Sequence, residues 1–220
     1  MVFKSLKGLF GGPAQTTAAP AATGPFGLGL GRAVVLETLR LRLEESRLAM
    51  RLPPETMVIT GHGVASLDAS GLLHRFYDDD GAMLQVLCSG GIGDANIQEI
   101  TLYHLWDEVV PTTSAEWAAW DGPGGKIGAA IFEAGGFGFE RVWGQPDTPW
   151  VPPAEFTEEV TVSEGPVRRL HQKIMPYRRE VGSLLETLII AVERDLASND
   201  RGSVTFMIGY GLAISDVNPV

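Results

Sequence analysis

The stretch Leu72-Leu73-His74-Arg75-Phe76-Tyr77-Asp78-Asp79-Asp80-Gly81-Ala82-Met83-Leu84-Gln85-Val86 constrains the fold more than any other part of the chain. Two runs of aliphatic and aromatic residues flank an acidic Asp-Asp-Asp-Gly break. Glycine takes a positive-φ turn position at no steric cost, so Asp/Gly between apolar runs reads as a β-hairpin. The same two-residue period recurs downstream. Ile100, Leu102, His104 and Trp106 share one face, and Phe137, Phe139, Arg141 and Trp143 alternate with Gly138, Glu140 and Val142. Phe156, Val160 and Val162 alternate with Thr157, Glu159 and Thr161. In the last strand Val204, Phe206, Ile208, Tyr210, Leu212 and Ile214 oppose a face that includes Gly209, Gly211 and Ala213. That pattern suits a central strand with something packed close against its back.

Other segments carry mixed signals. Leu39, Leu41 and Leu43 alternate with Thr38, Arg40 and Arg42 as a strand would, while Leu36, Leu39, Leu43 and Met50 also fit helical spacing. Met57–Leu67 is β-branched with two internal glycines, the mark of a strand with a bulge. A helix is predicted over Ser114–Trp120, capped by Ser114, with Glu116 in its first turn and Gly122 to Gly125 ending it. Ser183-Leu-Leu-Glu186 spells a capping box, yet Thr187–Val192 is rich in β-formers, and strand is favoured there. Asn199-Asp200-Arg201-Gly202 joins it to the last strand as a hairpin loop. The expectation is a mainly β, antiparallel fold of about nine strands with one or two short helices. Residues 1–25 are read as a flexible tail and linker, and 26–220 as one β-rich domain with the option of two lobes dividing near 110–125.

Charge and cysteine content narrow the functional classes. A net charge of −10 opposes phosphate backbones, so no nucleic-acid partner is expected. Cys88 is alone, which excludes an intramolecular disulfide and a cysteine-rich metal cage. No apolar run reaches the length of a membrane span, and Met1–Phe10 lacks a secretory h-region, so a cytoplasmic location is expected. In Val2–Phe10, Phe3, Leu6 and Phe10 share a helical face beside Lys4 and Lys7. A frayed terminus is the simpler reading; the alternative is an amphipathic anchor for peripheral contact with a membrane or a partner helix through residues 2–10.

The chemistry-bearing residues are weak candidates for catalysis. Asp78, Asp79 and Asp80 lack the alternate spacing that focuses carboxylates on one cation, and a solvated hairpin tip with Arg75 nearby is expected. His62, His74, His104 and His171 are scattered, without metal-ligand spacing, and read as structural. Cys88 at a strand end reads as a small buried hydrophobe rather than a nucleophile. Gly122-Pro-Gly-Gly-Lys126 fails the phosphate-loop spacing because Ile127 stands where a hydroxyl belongs. No cofactor, metal site or catalytic residue is expected. Arg168, Arg169, Lys173, Arg178 and Arg179 form a basic island that either binds an anionic surface or pairs with Glu158, Glu159 and Glu180.

Leu73-His74-Arg75-Phe76-Tyr77, the Asp78–Asp80 run and Gln85-Val86 resemble the motif of the bacterial YjfK-like proteins, a family of unknown function. Gly27-Leu28-Gly29-Leu30-Gly31, Arg141-Val142-Trp143, Pro176-Tyr177-Arg178 and Ile208–Leu212 extend the resemblance over most of residues 26–215. At Met175-Pro176-Tyr177 the proline departs from an aliphatic residue and is expected to break strand pairing locally. The resemblance implies no assigned activity. It implies genomic association with phage-shock-protein-A-like membrane-stress proteins and with an ATP-grasp ligase similar to glutathionylspermidine synthase. The functional expectation is therefore a non-enzymatic adaptor in a membrane-stress or envelope assembly, with a phage-shock-type coiled coil as partner. The alternatives are an enzyme or accessory subunit serving the ligase chemistry, and a structural homo-oligomer.

Overall fold

Eight strands of the computed structural model close into an antiparallel barrel, and the other described segments pack around it. The structure describes residues 23–198 and 202–220; the predicted tail residues Phe3, Leu6 and Phe10, and the turn residues Asn199 to Arg201, lie outside them. The described strands number thirteen: β1 (Ala33–Leu36), β2 (Thr56–Val58), β3 (Gly61–Ser66), β4 (Gly71–Tyr77), β5 (Ala82–Ser89), β6 (Ile97–Val109), β7 (Ile131–Ala134), β8 (Phe137–Arg141), β9 (Ala154–Val162), β10 (Arg168–Val181), β11 (Leu184–Asp195), β12 (Gly202–Gly211) and β13 (Val217–Pro219). Two short helices, α1 (Leu39–Leu43) and α2 (Ser114–Asp121), complete the set.

The barrel is made of two four-stranded meanders, β3 to β6 and β9 to β12. Hairpins join consecutive strands within each, and two long-range seams, β6 with β12 and β3 with β9, weld them into a ring. Closure removes the open sheet edges that such strands would otherwise present. β10 is long enough to change neighbours. Arg168–Ile174 pairs with β9, and Tyr177 and Arg178 pair with β8 of the short β7–β8 hairpin. Pro176 lies at that changeover, and β10 stays paired with β11 through it (Pro176 opposite Ile189). The strand is thus not broken by the proline, because the missing N–H falls where one neighbour hands over to the next.

Period-two alternation sorts the strands into two packed layers. Leu73, Arg75 and Tyr77 of β4 face the barrel interior with Met83, Tyr103, Ile189 and Met207. Phe76, Leu84, Val86, Leu188, Ile190, Phe206 and Ile208 face outward and pack beneath Leu28, Val34, Leu36, Leu41 and Met57. Those covering residues come from the N-terminal segment, α1 and the three-stranded sheet β13–β1–β2.

The strand expected at Leu39–Leu43 is helical. Its backbone is satisfied locally, with Leu41 and Arg42 N–H donating to Thr38 O, and only Leu41 is buried. The single bulged strand expected over Met57–Leu67 is two strands in different sheets. Ile59 N–H turns to Arg32 O and Thr60 N–H to Tyr77 O, which carries the chain from the small sheet into the barrel. Helix α2 is capped by Thr113, not Ser114, in a box with Glu116. The strand reading of Leu184–Asp195 agrees with the structure, whereas the last strand ends at Gly211, short of Leu212 and Ile214. The close approach read at its back is also present, since a Cβ at Gly209 would collide with the Tyr103 ring and Leu102 O. Gly209→Ala is expected to destabilise the protein by about 1–3 kcal/mol through overpacking, measured by urea unfolding.

Candidate functional site

The interior face of the barrel carries a buried polar cluster, built where charged residues occupy apolar-parity positions. Arg75 lies between Leu73 and Tyr77 on β4, and Glu158 between Phe156 and Val160 on β9, so alternation turns both inward. Arg75 Nη1 donates to Glu158 Oε2 at 2.9 Å and to Gln172 Oε1 at 2.6 Å, and its Nε donates to Gln85 Oε1 at 3.0 Å. Tyr77 OH donates to Glu158 Oε1 at 2.6 Å, and Gln172 Nε2 donates to Glu158 Oε2. Gly63 makes room for this carboxylate, since a Cβ there would overlap Glu158. Burial opposes the charge on Arg75, but Glu158, Tyr77 and Glu193 together outweigh it and hold its pKa above the ordinary value. Burial, then Glu158, pushes the Tyr77 hydroxyl well up.

A second carboxylate faces the same interior. Burial, then repulsion from Glu158, raises Glu193 to about 7 against the pull of Arg75. Its Oε2 is buried and makes no hydrogen bond. Arg75, Tyr77, Glu193, Thr205, Met83 and Met207 border a cavity of about 20 Å³, which is room for one water molecule. The chemistry available here is charge pairing and proton storage within a packed barrel. The motif residues Arg75, Tyr77 and Gln85 are thus parts of one interior network, while His74, Phe76 and Val86 face the outer layer.

The acidic turn differs from the solvated tip expected. Asp78 is buried, and its Oδ1 accepts from Asp80 N–H at 2.9 Å and Ala82 N–H at 2.8 Å, so it shapes the turn. Asp79 and Asp80 are exposed, and Arg75 points away from all three into the barrel. Among the described residues no group of three or more His, Cys, Asp or Glu is placed to hold a metal ion. Cys88 is buried, and burial pushes its thiol up.

Four of the five basic-island residues are paired with carboxylates. Arg168 pairs with Asp195 at 2.7 Å, Arg169 with Glu159 at 3.4 Å, and Lys173 with Asp121 at 2.8 Å and Glu155 at 3.4 Å. Arg179 engages the fully buried Glu186, which also accepts from Ala49 and Met50 N–H and ties the coat to the barrel. Arg178 is exposed on the opposite face of β10. Glu158, expected among the surface partners, is the interior anion instead. The Arg141 guanidinium donates to the carbonyls of Gly128, Trp143, Gln145 and Thr148, fixing the loop after β8.

Two histidines read as scattered are in contact. On the outer face of β3 and β4, His62 Nε2 and His74 Nδ1 are 3.1 Å apart, both rings buried and stacked with Phe76. The signal was the tight turn between Ser66 and Gly71, whose register sets Val64 opposite His74 and His62 opposite Phe76.

Comparison with known proteins agrees with the motif. A family model described as "Protein of unknown function (DUF2491)" matches residues 2–218. The uncharacterized protein YjfK of Escherichia coli (strain K12) is 24% identical over 195 residues, covering 88% of this chain and 87% of the relative. No solved structure matches the chain.

Proposed function

Because the chain belongs to the protein family of unknown function DUF2491, we propose that it is a non-enzymatic adaptor that works through its outer surface in a membrane-stress or envelope assembly. The observation that carries this reading is on α1. Leu39 and Leu43, one helical turn apart, are 67% and 77% exposed although Leu41 between them is buried. An exposed apolar pair at i, i+4 is the contact face a partner helix takes up. The flanking cations are engaged elsewhere, Arg40 on Gly211 O and Arg42 on Glu55, which leaves the leucines as the presented groups. The packed barrel interior supports the same reading, because the cavity bordered by Arg75 and Glu193 is water-sized. A coiled-coil protein of the phage-shock type is the partner favoured by the genomic association that the resemblance to the YjfK-like proteins implies. The Lys-bearing residues 2–10 supply a second contact, to that partner or to an anionic bilayer.

The test is capture from the native cell with mass-spectrometric identification, using the full chain, Leu39→Asp/Leu43→Asp, and a chain lacking residues 1–25. Capture of a coiled-coil partner should fall about tenfold or more in the double variant, with an unchanged far-UV circular dichroism spectrum. An identical partner list for all three proteins would overturn the proposal.

A further inference from the structure

We propose that the His62–His74 pair is a proton-operated latch that holds the segment Gly24–Leu28 against the barrel. The segment lies directly on the two rings. A Cβ at Gly24 would stand 2.8 Å from Phe76 Cζ and 3.2 Å from both His62 Nε2 and His74 Nδ1, so only glycine seats there. The strap is folded tightly on itself, with Gly24 N–H donating to Leu28 O at 2.8 Å and Leu28 N–H to Pro25 O at 3.1 Å. Phe26 takes the left-handed conformation at φ 59°, unusual for a non-glycine residue. A strained turn of this kind persists only while its surroundings hold it.

Protonation removes that hold. Two neutral imidazoles 3.1 Å apart share one hydrogen, one ring donating and the other accepting. With His74 Nδ1–H donating to His62 Nε2, the lone pair of His74 Nε2 is buried and makes no hydrogen bond, so a proton added there gains no hydrogen-bond acceptor. The resulting charge sits between Phe76 and the strap, which brings no titratable or charged side chain (Gly-Pro-Phe-Gly-Leu). On the neighbouring strands the same face offers Cys88 of β5, and Thr161 and Glu159 of β9. Cys88 is a buried thiol, and Glu159 is taken up by Arg169. Burial alone already lowers the pKa of His74. Water can reach the new charge only if the strap lifts. Gly24, Phe26 and Gly27 also form one wall of an open groove of about 800 Å³ that includes Ile92, Ile214 and Val217, so lifting remodels that surface.

Hydrogen–deuterium exchange of the full chain tests the latch. Protection of the Gly27 and Leu28 amides, corrected for intrinsic exchange, should fall about tenfold between pH 7.5 and pH 5.5 while β4 and β5 stay protected. His74→Gln, which cannot take the proton, should abolish the pH dependence. Constant protection in the wild-type chain, or the same loss in the variant, would overturn the proposal. Side-chain NMR titration of the unmodified protein gives a readout that needs no variant. His74 should charge before the barrel unfolds, and two imidazoles that stay neutral down to global unfolding would likewise exclude it.

Discussion

Arg75→Met is expected to lower stability by about 3–5 kcal/mol, the cost of leaving a buried charge without its partner. Most folded domains have only about 5–15 kcal/mol in hand, so this variant should unfold at markedly lower urea concentration. The loss comes from what the substitution strands. Glu158 is fully buried, and Gln85 and Gln172 each lose a charge-assisted bond. Neutralising the second partner should restore much of the loss. Arg75→Met/Glu158→Gln keeps an acceptor for Tyr77 OH at position 158 and removes the stranded charge. A double-mutant cycle by urea unfolding near pH 7 should therefore show strong coupling. Simple addition of the two single effects would mean that the pair is not the organising contact of the interior.

Glu193 predicts an unusual pH dependence. Its carboxyl is raised to about 7 in the folded chain from the ordinary value of 4.5. Between those values the folded protein keeps a proton that the unfolded chain has released, so this group's contribution falls as pH rises from the ordinary value to the raised one. His74 and His104, whose pKa values burial lowers, act with the opposite sign below their ordinary value of 6.5. The comparison that isolates Glu193 is wild type against Glu193→Gln. The variant should be about 3 kcal/mol more stable at pH 8 and about equal near pH 4. Parallel stability curves over that range would show that Glu193 holds no proton at neutrality.

Local signals were legible because neighbours in sequence make them. The β4–β5 hairpin, the stop after α2, the strand at Leu184–Asp195 and the close approach at Gly209 each depend on a few adjacent residues. The barrel was not legible, since its seams pair β3 with β9 and β6 with β12 across long stretches of chain. The interior cluster hid for a related reason. Arg75 and Glu158 are 83 residues apart, and an acid in a strand normally reads as solvated. Their parity was nevertheless available, because each sits in register with two apolar neighbours. Leu39–Leu43 failed differently, through a leucine repeat short enough to satisfy both periods, which the local hydrogen bonds of Thr38 decided.

The division of the barrel into two meanders has a consequence for assembly. The cation belongs to the first and its anion to the second, so neither half can desolvate its own ionic group before the other arrives. The pair therefore rewards only the correct register of the two meanders, a long-range contact in sequence.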